Sequence, residues 1–181
     1  SALIKQNYTI MKKIFLIALF AISAISFAQV AIGKAEVSST DASLDFGTGN
    51  KGIILPWVTS ETAVTGAVPG TIIYDTTDKK VKVKLNDSWR DLSTREGAVD
   101  ASLQTSVAEN ANAKVVYGKN GATNTTPGIL VLSDTDKAMI LPKMASPHLN
   151  IKNPEAGTMA YDTTTHQLAV FNGSVWTFWK P

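Results

Sequence analysis

The sequence predicts a mainly β protein, made of two tandem β-hairpin or meander units that are joined by a helical linker. Three observations lead to this fold class. The chain contains an internal repeat, its residues favour short strands and tight turns, and the segment between the two copies has helical spacing. A repeat of this kind means that one supersecondary unit is used twice, so one copy predicts the fold of the other.

The internal repeat places the two units at residues 30–93 and 115–181. Three motifs recur in the same order: Val-x-x-Gly-Lys at 30–34 and 115–119, Ile-Leu-Pro at 54–56 and 140–142, and Tyr-Asp-Thr-Thr at 74–77 and 161–164. The offset between the copies grows only from 85 through 86 to 87, so single-residue slips separate them.

The sequence of each unit predicts a β-hairpin that is followed by a third strand. Residues 70–75 are β-branched and aromatic, polar residues form the next turn, and the return strand 81–85 alternates valine or leucine with lysine. In the second unit Asn172 and Gly173 favour a further tight turn, because they tolerate the positive φ that such turns require. Trp89 and Trp176 then end the two meanders at equivalent positions, which favours packing on the hairpin over ligand contact.

The predicted core is made of two short apolar runs, Ile53 to Leu55 and Met139 to Leu141. A proline follows each run, and proline cannot donate a ladder hydrogen bond, so each run predicts a buried strand that stops there.

The segment 94–114 between the units has a different character. Apolar residues recur every four positions, at Val99, Leu103, Val107 and Ala111, in a background of Ala, Ser, Glu and Asn. This spacing predicts a helix with one narrow apolar stripe, which packs on the units or on its own copies in an oligomer.

Residues 1–28 are interpreted as an upstream extension, Ser1 to Ile10, and a signal peptide. Met11 is followed by two lysines, an apolar run from Ile14 to Ile25, and Ser26-Phe27-Ala28, the order of a secretory signal with cleavage after Ala28. The apolar run is shorter than the roughly 18 residues of a membrane span. The sequence therefore predicts an exported protein without a transmembrane span in the mature chain, located outside the cell or on its outer surface, with the periplasm as the alternative.

Charge and cysteine content exclude some classes of partner and favour others. The full chain has a formal charge of +2, but the first 28 residues hold three lysines and no acid, so the mature chain has 14 basic and 15 acidic side chains. A charge of about −1 gives no electrostatic footprint for nucleic acid. The chain has no cysteine, so an exported protein of this size must rely on apolar burial or oligomerisation, which favours a homo-oligomer.

Residues 157–176 read Gly-x-x-x-Tyr-Asp-Thr-Thr-x-x-x-Leu-x-Val-Phe-Asn-Gly-Ser-x-Trp. This motif resembles a repeat of secreted surface proteins of Bacteroidetes and of phage tail-fibre-like proteins. The preceding segment 136–144 and the leader end Phe27-Ala28-Gln29 are similar to the corresponding parts of such proteins. The resemblance implies a β-rich, extracellular or surface-attached module of fibrous or adhesive proteins, often trimeric, without an active site.

No pattern in the chain indicates an enzyme, a cofactor or a metal site. His148 and His166 have no partner at a spacing that metal or triad chemistry requires, and no nucleophile or phosphate-loop motif is present. The acids at 134–136 and 75–78 have a spacing that suits calcium, but Asp and Thr in such short polar stretches more often hydrogen bond to their own turns. No catalytic residue, cofactor or metal ion is predicted.

Trp57 and Trp179 are the candidate contact residues for a ligand or partner, since neither has a tryptophan at the matching place in the other unit. Lys143 replaces Trp57. We therefore predict a secreted or cell-surface structural and adhesion protein that associates with itself in a fibre-like manner, with a surface glycan or another surface protein as further candidate partners. The alternatives are a monomeric carbohydrate-binding module and, third, a secreted enzyme.

Overall fold

The computed structural model describes residues 6–8, 11–13, 15, 29–108, 110 and 112–180. The predicted signal peptide lies largely outside these residues, as does its cleavage site after Ala28, so both stay predictions. In the part of the chain that is described, no helix combines the length and the apolar character that crossing a bilayer requires.

The fold is mainly β, as predicted, and the strands of the described chain fall into two series. The first unit contains β1 Val30–Ile32, β2 Ala42–Phe46, β3 Ile53–Ile54, β4 Trp57–Val58, β5 Ile72–Asp75, β6 Lys80–Lys84 and β7 Trp89–Asp91. The second contains β8 Val115–Tyr117, β9 Leu130–Leu132, β10 Ala138–Ile140, β11 Lys143–Met144, β12 Thr158–Asp162, β13 Gln167–Phe171 and β14 Trp176–Trp179. Short helices are α1 Ser102–Thr105 and α2 Pro147–Asn150, with 3₁₀ turns at Glu61–Ala63 and Gly121–Thr123.

The two units have the same strand pairing. Each begins with a parallel pair, β1–β2 or β8–β9, and ends with an antiparallel meander, β5-β6-β7 or β12-β13-β14, with β4 or β11 parallel to its first strand. The meanders match at a constant offset of 87, since Lys84 pairs with Trp89 and Phe171 pairs with Trp176. The predicted hairpins and third strands are therefore confirmed.

Strands also cross from one unit to the other. β10 of the second unit pairs in parallel with β2 of the first, which gives the sheet order β1-β2-β10. β3 of the first unit pairs antiparallel with β12 of the second. Each unit therefore supplies a strand to a sheet of the other.

One hydrophobic core serves both units. The first unit contributes Leu55, Tyr74 and Val81, and the second contributes Ala156, Met159 and Val170. The core thus lies between the two meanders, and burial of its side chains links the folding of one unit to that of the other.

The predicted core runs are buried only in part. Leu55 belongs to the core, and Met139 and Leu141 are half-buried against it. Ile54, however, is 55% exposed, so its predicted burial was wrong. Successive side chains of a strand point to opposite faces, and the face of Leu55 is the one that meets the core.

Of the predicted linker helix, the described residues contain the four residues of α1. Of the proposed stripe, Val99 packs against the core, Val107 is 70% exposed and Ala111 lies outside the described residues. The start of the linker is held by backbone hydrogen bonds to the units, from Gly97 N to Lys79 O and from Ala98 N to Asn172 O. These bonds compete with a helical ladder, and what remains is too short for a stable helix of its own.

Candidate assembly interface

The contact between the two units is the most developed interaction surface in the described chain, and backbone pairing forms its frame. In the β2–β10 ladder, Met139 lies opposite Leu44, and Ala138 N donates to Asp41 O at 2.7 Å. In the β3–β12 ladder, Ile54 lies opposite Thr158. Ladder hydrogen bonds give such a contact both its stability and its register.

Trp57 and Trp179, the two candidate contact residues, both reach across this interface. Trp57 Nε1 donates to Ala156 O at 2.7 Å, and Trp179 Nε1 donates to Leu92 O at 2.6 Å. Both side chains are half-buried. Each indole therefore joins one unit to the other, and contact with an external ligand stays a prediction for both.

Tyr74 is the largest buried side chain of the interface. It is 0% exposed, its ring lies 6.0 Å from that of Trp57, and its hydroxyl donates to Asn172 O at 2.9 Å. Burial, with the nearby charge of Asp75, raises the pKa of Tyr74 to about 12, so the hydroxyl stays a donor. Gly157, at φ +82°, lets the ring approach, because a Cβ there would lie 3.0 Å from Tyr74 Cβ.

Asn172 connects the linker to the second meander. It is fully buried, and its Nδ2 donates to Arg95 O at 2.7 Å while its Oδ1 accepts from Ser174 N and Val175 N. From the sequence Asn172 was only a turn residue. At the offset of 87 that relates the two meanders, the position of Asn172 is taken in the first unit by Leu85, which is exposed. A comparison of the repeats at this offset would have shown that Asn172 has no polar counterpart in the first unit.

Replacement of Asn172 with Ala is expected to destabilise the protein by about 2 kcal/mol, because the Arg95 carbonyl and two backbone N–H groups lose their partner. Thermal unfolding at neutral pH measures the effect. Leu85→Ala at the equivalent turn is the matched control and should change stability by less than about 0.5 kcal/mol. Equal effects of the two substitutions would show that Asn172 acts only as a turn residue.

The repeated aspartates of the Tyr-Asp-Thr-Thr motif close their own turns. Asp75 Oδ1 accepts from Thr77 N and Asp78 N, both at 3.0 Å, and Asp162 Oδ1 accepts from Thr164 N at 2.8 Å. Burial alone would raise the pKa of both carboxyls, but the hydrogen bonds outweigh it and lower each pKa below its usual value. The aspartate of this motif thus stabilises the turn that follows it, as the residue types of the motif predicted.

Lys82 occupies a cluster of three acids in the first unit. Its Nζ lies 2.8 Å from Glu61 Oε2 and 3.1 Å from Asp75 Oδ2, and it also contacts Asp78. Lys82 is 3% exposed, although the strand 81–85 alternates apolar residues with lysine and such alternation normally marks a solvent face. The ammonium group therefore supplies the positive charge that these acids require. At the equivalent place in the second unit Ala169 is buried.

The histidines lie in different surroundings. His148, in α2, packs edge-on against Phe178 with the ring centroids 5.5 Å apart, and His166 occupies the β12–β13 turn at φ +56°. Among the described residues, Glu61, Asp75 and Asp78 form the group of potential metal ligands that lie close together, and it contains no histidine.

An open pocket of about 340 Å³ lies beside the interface. Trp57, Asp100, Glu155 and Gly173 are among its lining residues. An aromatic ring beside carboxylates is a combination that can hold a small polar ligand.

No curated protein and no solved structure matches this chain. A family model does match its second unit, beginning at Gly118 in the β8–β9 region and ending at Lys180, just after β14. Residues 118–180 are thus similar to the phage tail like trimerisation region.

Proposed function

We propose that this protein is a structural, fibre-like protein without catalytic activity, which associates with itself as a homotrimer and serves in adhesion at the cell surface. The similarity of residues 118–180 to the phage tail like trimerisation region is the observation that carries the proposal. A protein of this kind needs surfaces that bind other copies of the chain rather than a reaction centre.

The interface between the units supports self-association. Strand pairing and a shared core already hold two copies of one unit together within the chain. The same kind of contact can operate between units of different chains, because the units share their strand order.

The solution mass of residues 29–181, measured by light scattering on a sizing column, tests the proposal. We expect three times the mass of one chain. A monomer at all accessible concentrations would contradict the trimeric proposal and turn attention to ligand binding by the single chain.

Export of the chain is part of the proposal and has its own test. Expression of the full sequence in a bacterial host, followed by fractionation and N-terminal sequencing, should yield an exported chain that begins at Gln29. Retention of the intact chain in the cytoplasm would contradict it.

Glycan binding is the second candidate function, and the pocket beside Trp57 favours it. Under this alternative the chain is a monomer that is retained on immobilised polysaccharide. Trp57→Phe is a better probe than Trp57→Ala, because Trp57 also joins the units and Phe keeps a ring in the interface. Retention that is unaffected by Trp57→Phe and by Asp100→Asn would exclude this pocket as the glycan site.

A further inference from the structure

We propose that the open edge of β9 binds β3 of a second copy of the chain in parallel, so that copies associate head to tail. This inference rests on the proposed self-association and names the surfaces that carry it. Both strands lie within the described residues.

Comparison of the two units shows that one edge of β9 lacks the neighbouring strand that its counterpart β2 has. β9 corresponds to β2, because Leu130 lies opposite Val115 as Leu44 lies opposite Val30. β2 binds β1 on one edge and β10 on the other. In the described part of the chain, β9 pairs with β8 alone, so the place that β10 occupies on β2 is open on β9.

The open edge of β9 has free ladder groups and no protection against pairing. Ile129 O accepts from Val115 N, and Ser133 N donates to Tyr117 O, so the backbone groups of the odd-numbered residues of this segment face β8. The backbone groups of the even-numbered residues, Leu130 and Leu132, therefore face the other edge. Native edge strands usually carry a charge or a proline, and residues 129–132 contain neither, while Ile129 and Leu130 are 54% and 44% exposed.

The repeat also identifies the occupant. β10, which fills the matching place on β2, corresponds to β3, since both precede the repeated Leu-Pro. Within its own chain β3 is paired along one edge, to β12, and Ile54 is exposed. β10 is already bound to β2, so the strand that remains for β9 is β3 of another copy.

The register follows from the internal ladder. There Met139 lies opposite Leu44 and Ile140 lies opposite Asp45. At the equivalent positions of the proposed contact, Ile53 lies opposite Leu130 and Ile54 lies opposite Val131, which brings two partly exposed apolar strands together.

A second strand pair would complete the same junction. Within the chain, β3 also binds β12, with Ile53 opposite Met159. The corresponding pair between copies is β10 with β5, which places Met139 opposite Ile72. The surfaces on the two copies differ, so the contact is heterologous and closes into a ring or continues into a fibre.

Disulfide trapping tests this contact, because the chain has no cysteine of its own. Leu130→Cys and Ile53→Cys are made as separate variants of residues 29–181, mixed and oxidised. Residues opposite each other in neighbouring strands meet the Cα separation of about 4.4–6.8 Å that a disulfide needs. We expect roughly tenfold more covalent dimer from this mixture than from either variant alone or from Ile53→Cys with Leu85→Cys, which lies on an exposed turn.

Two further measurements separate the possible results. Light scattering of each variant reports assembly, and Ile53→Cys with Leu132→Cys, two residues out of register, should give little dimer. Assembled variants that do not form the expected disulfide would overturn this contact and leave the proposed self-association standing. A preferred disulfide between Leu130→Cys and Met139→Cys would show β10 of the second copy at this edge instead, and monomeric wild-type protein would overturn both proposals.

Discussion

Replacement of Tyr74 with Ala is expected to destabilise the protein by about 4 kcal/mol, the largest effect that we predict for one side chain. The ring is fully buried between the units, so its removal leaves a cavity in the shared core. The substitution also removes the hydroxyl that donates to Asn172 O. Chemical denaturation of residues 29–181 at neutral pH measures the loss.

Tyr161 provides the matched control for Tyr74, since it occupies the same motif position in the second unit and is half-buried. In a monomeric chain, Tyr161→Ala should destabilise the protein about half as much as Tyr74→Ala, because the half-buried Tyr161 side chain removes less apolar area from water when the protein folds. Tyr74→Phe should cost about 1 kcal/mol, the value of one hydrogen bond. Equal losses for the two Ala variants would mean that the position of Tyr74 between the units contributes nothing.

Replacement of Lys82 with Ala is expected to destabilise the protein by about 3 kcal/mol, because it leaves the buried Asp75 carboxylate without its counter-charge. Lys80 supplies the control. Lys80 lies on the same strand as Lys82 and forms an ion pair with Asp91 of β7. That pair is partly open to solvent, so Lys80→Ala should cost no more than about 0.5 kcal/mol. Thermal unfolding of both variants at pH 7 gives the comparison.

The effect of Lys82→Ala should shrink at acid pH. Burial would raise the pKa of Asp75, but backbone N–H groups of Asp78 and Glu61 and the ammonium of Lys82 lower it below its usual value. A carboxyl whose pKa is lower in the folded state contributes stability above its unfolded pKa of about 4, and this contribution is lost as the pH falls through the folded pKa.

The wild type should therefore lose more stability between pH 7 and pH 3 than the Lys82→Ala variant does. Asp75→Asn in the Lys82→Ala background is the second control, because it removes the unpaired charge and should recover part of the lost stability. A Lys82→Ala variant as stable as wild type at pH 7 would show that the ammonium group is not needed to hold these acids.

Local features of the fold could be predicted from the sequence with good accuracy. The hairpins and the third strands depend on residues that are close in the chain, such as Asp75 and the N–H groups of Thr77 and Asp78. The same local bonds recur at Asp162. Because such bonds need no distant partner, the repeated motif predicted both turns.

The candidate interface was less accessible to sequence reasoning. Trp57 and Trp179 were found because the repeat lacks a tryptophan at their matching positions, but nothing local indicates that they hydrogen bond across the units. Lys82 followed an alternating pattern that normally marks a solvent face. The acids that surround Lys82 include Glu61, which is distant in the chain and approaches Lys82 only in the folded state.

The sequence by itself determined the repeat, the hairpin and third strand of each unit and the turn chemistry, since these depend on neighbouring residues. The tertiary structure alone decided which of two equivalent side chains is buried. Tyr74 and Tyr161 belong to the same motif, yet Tyr74 is buried and Tyr161 is only half-buried. The physical reason is that burial depends on what lies opposite, and Tyr74 faces the second unit, where its hydroxyl donates to Asn172 O.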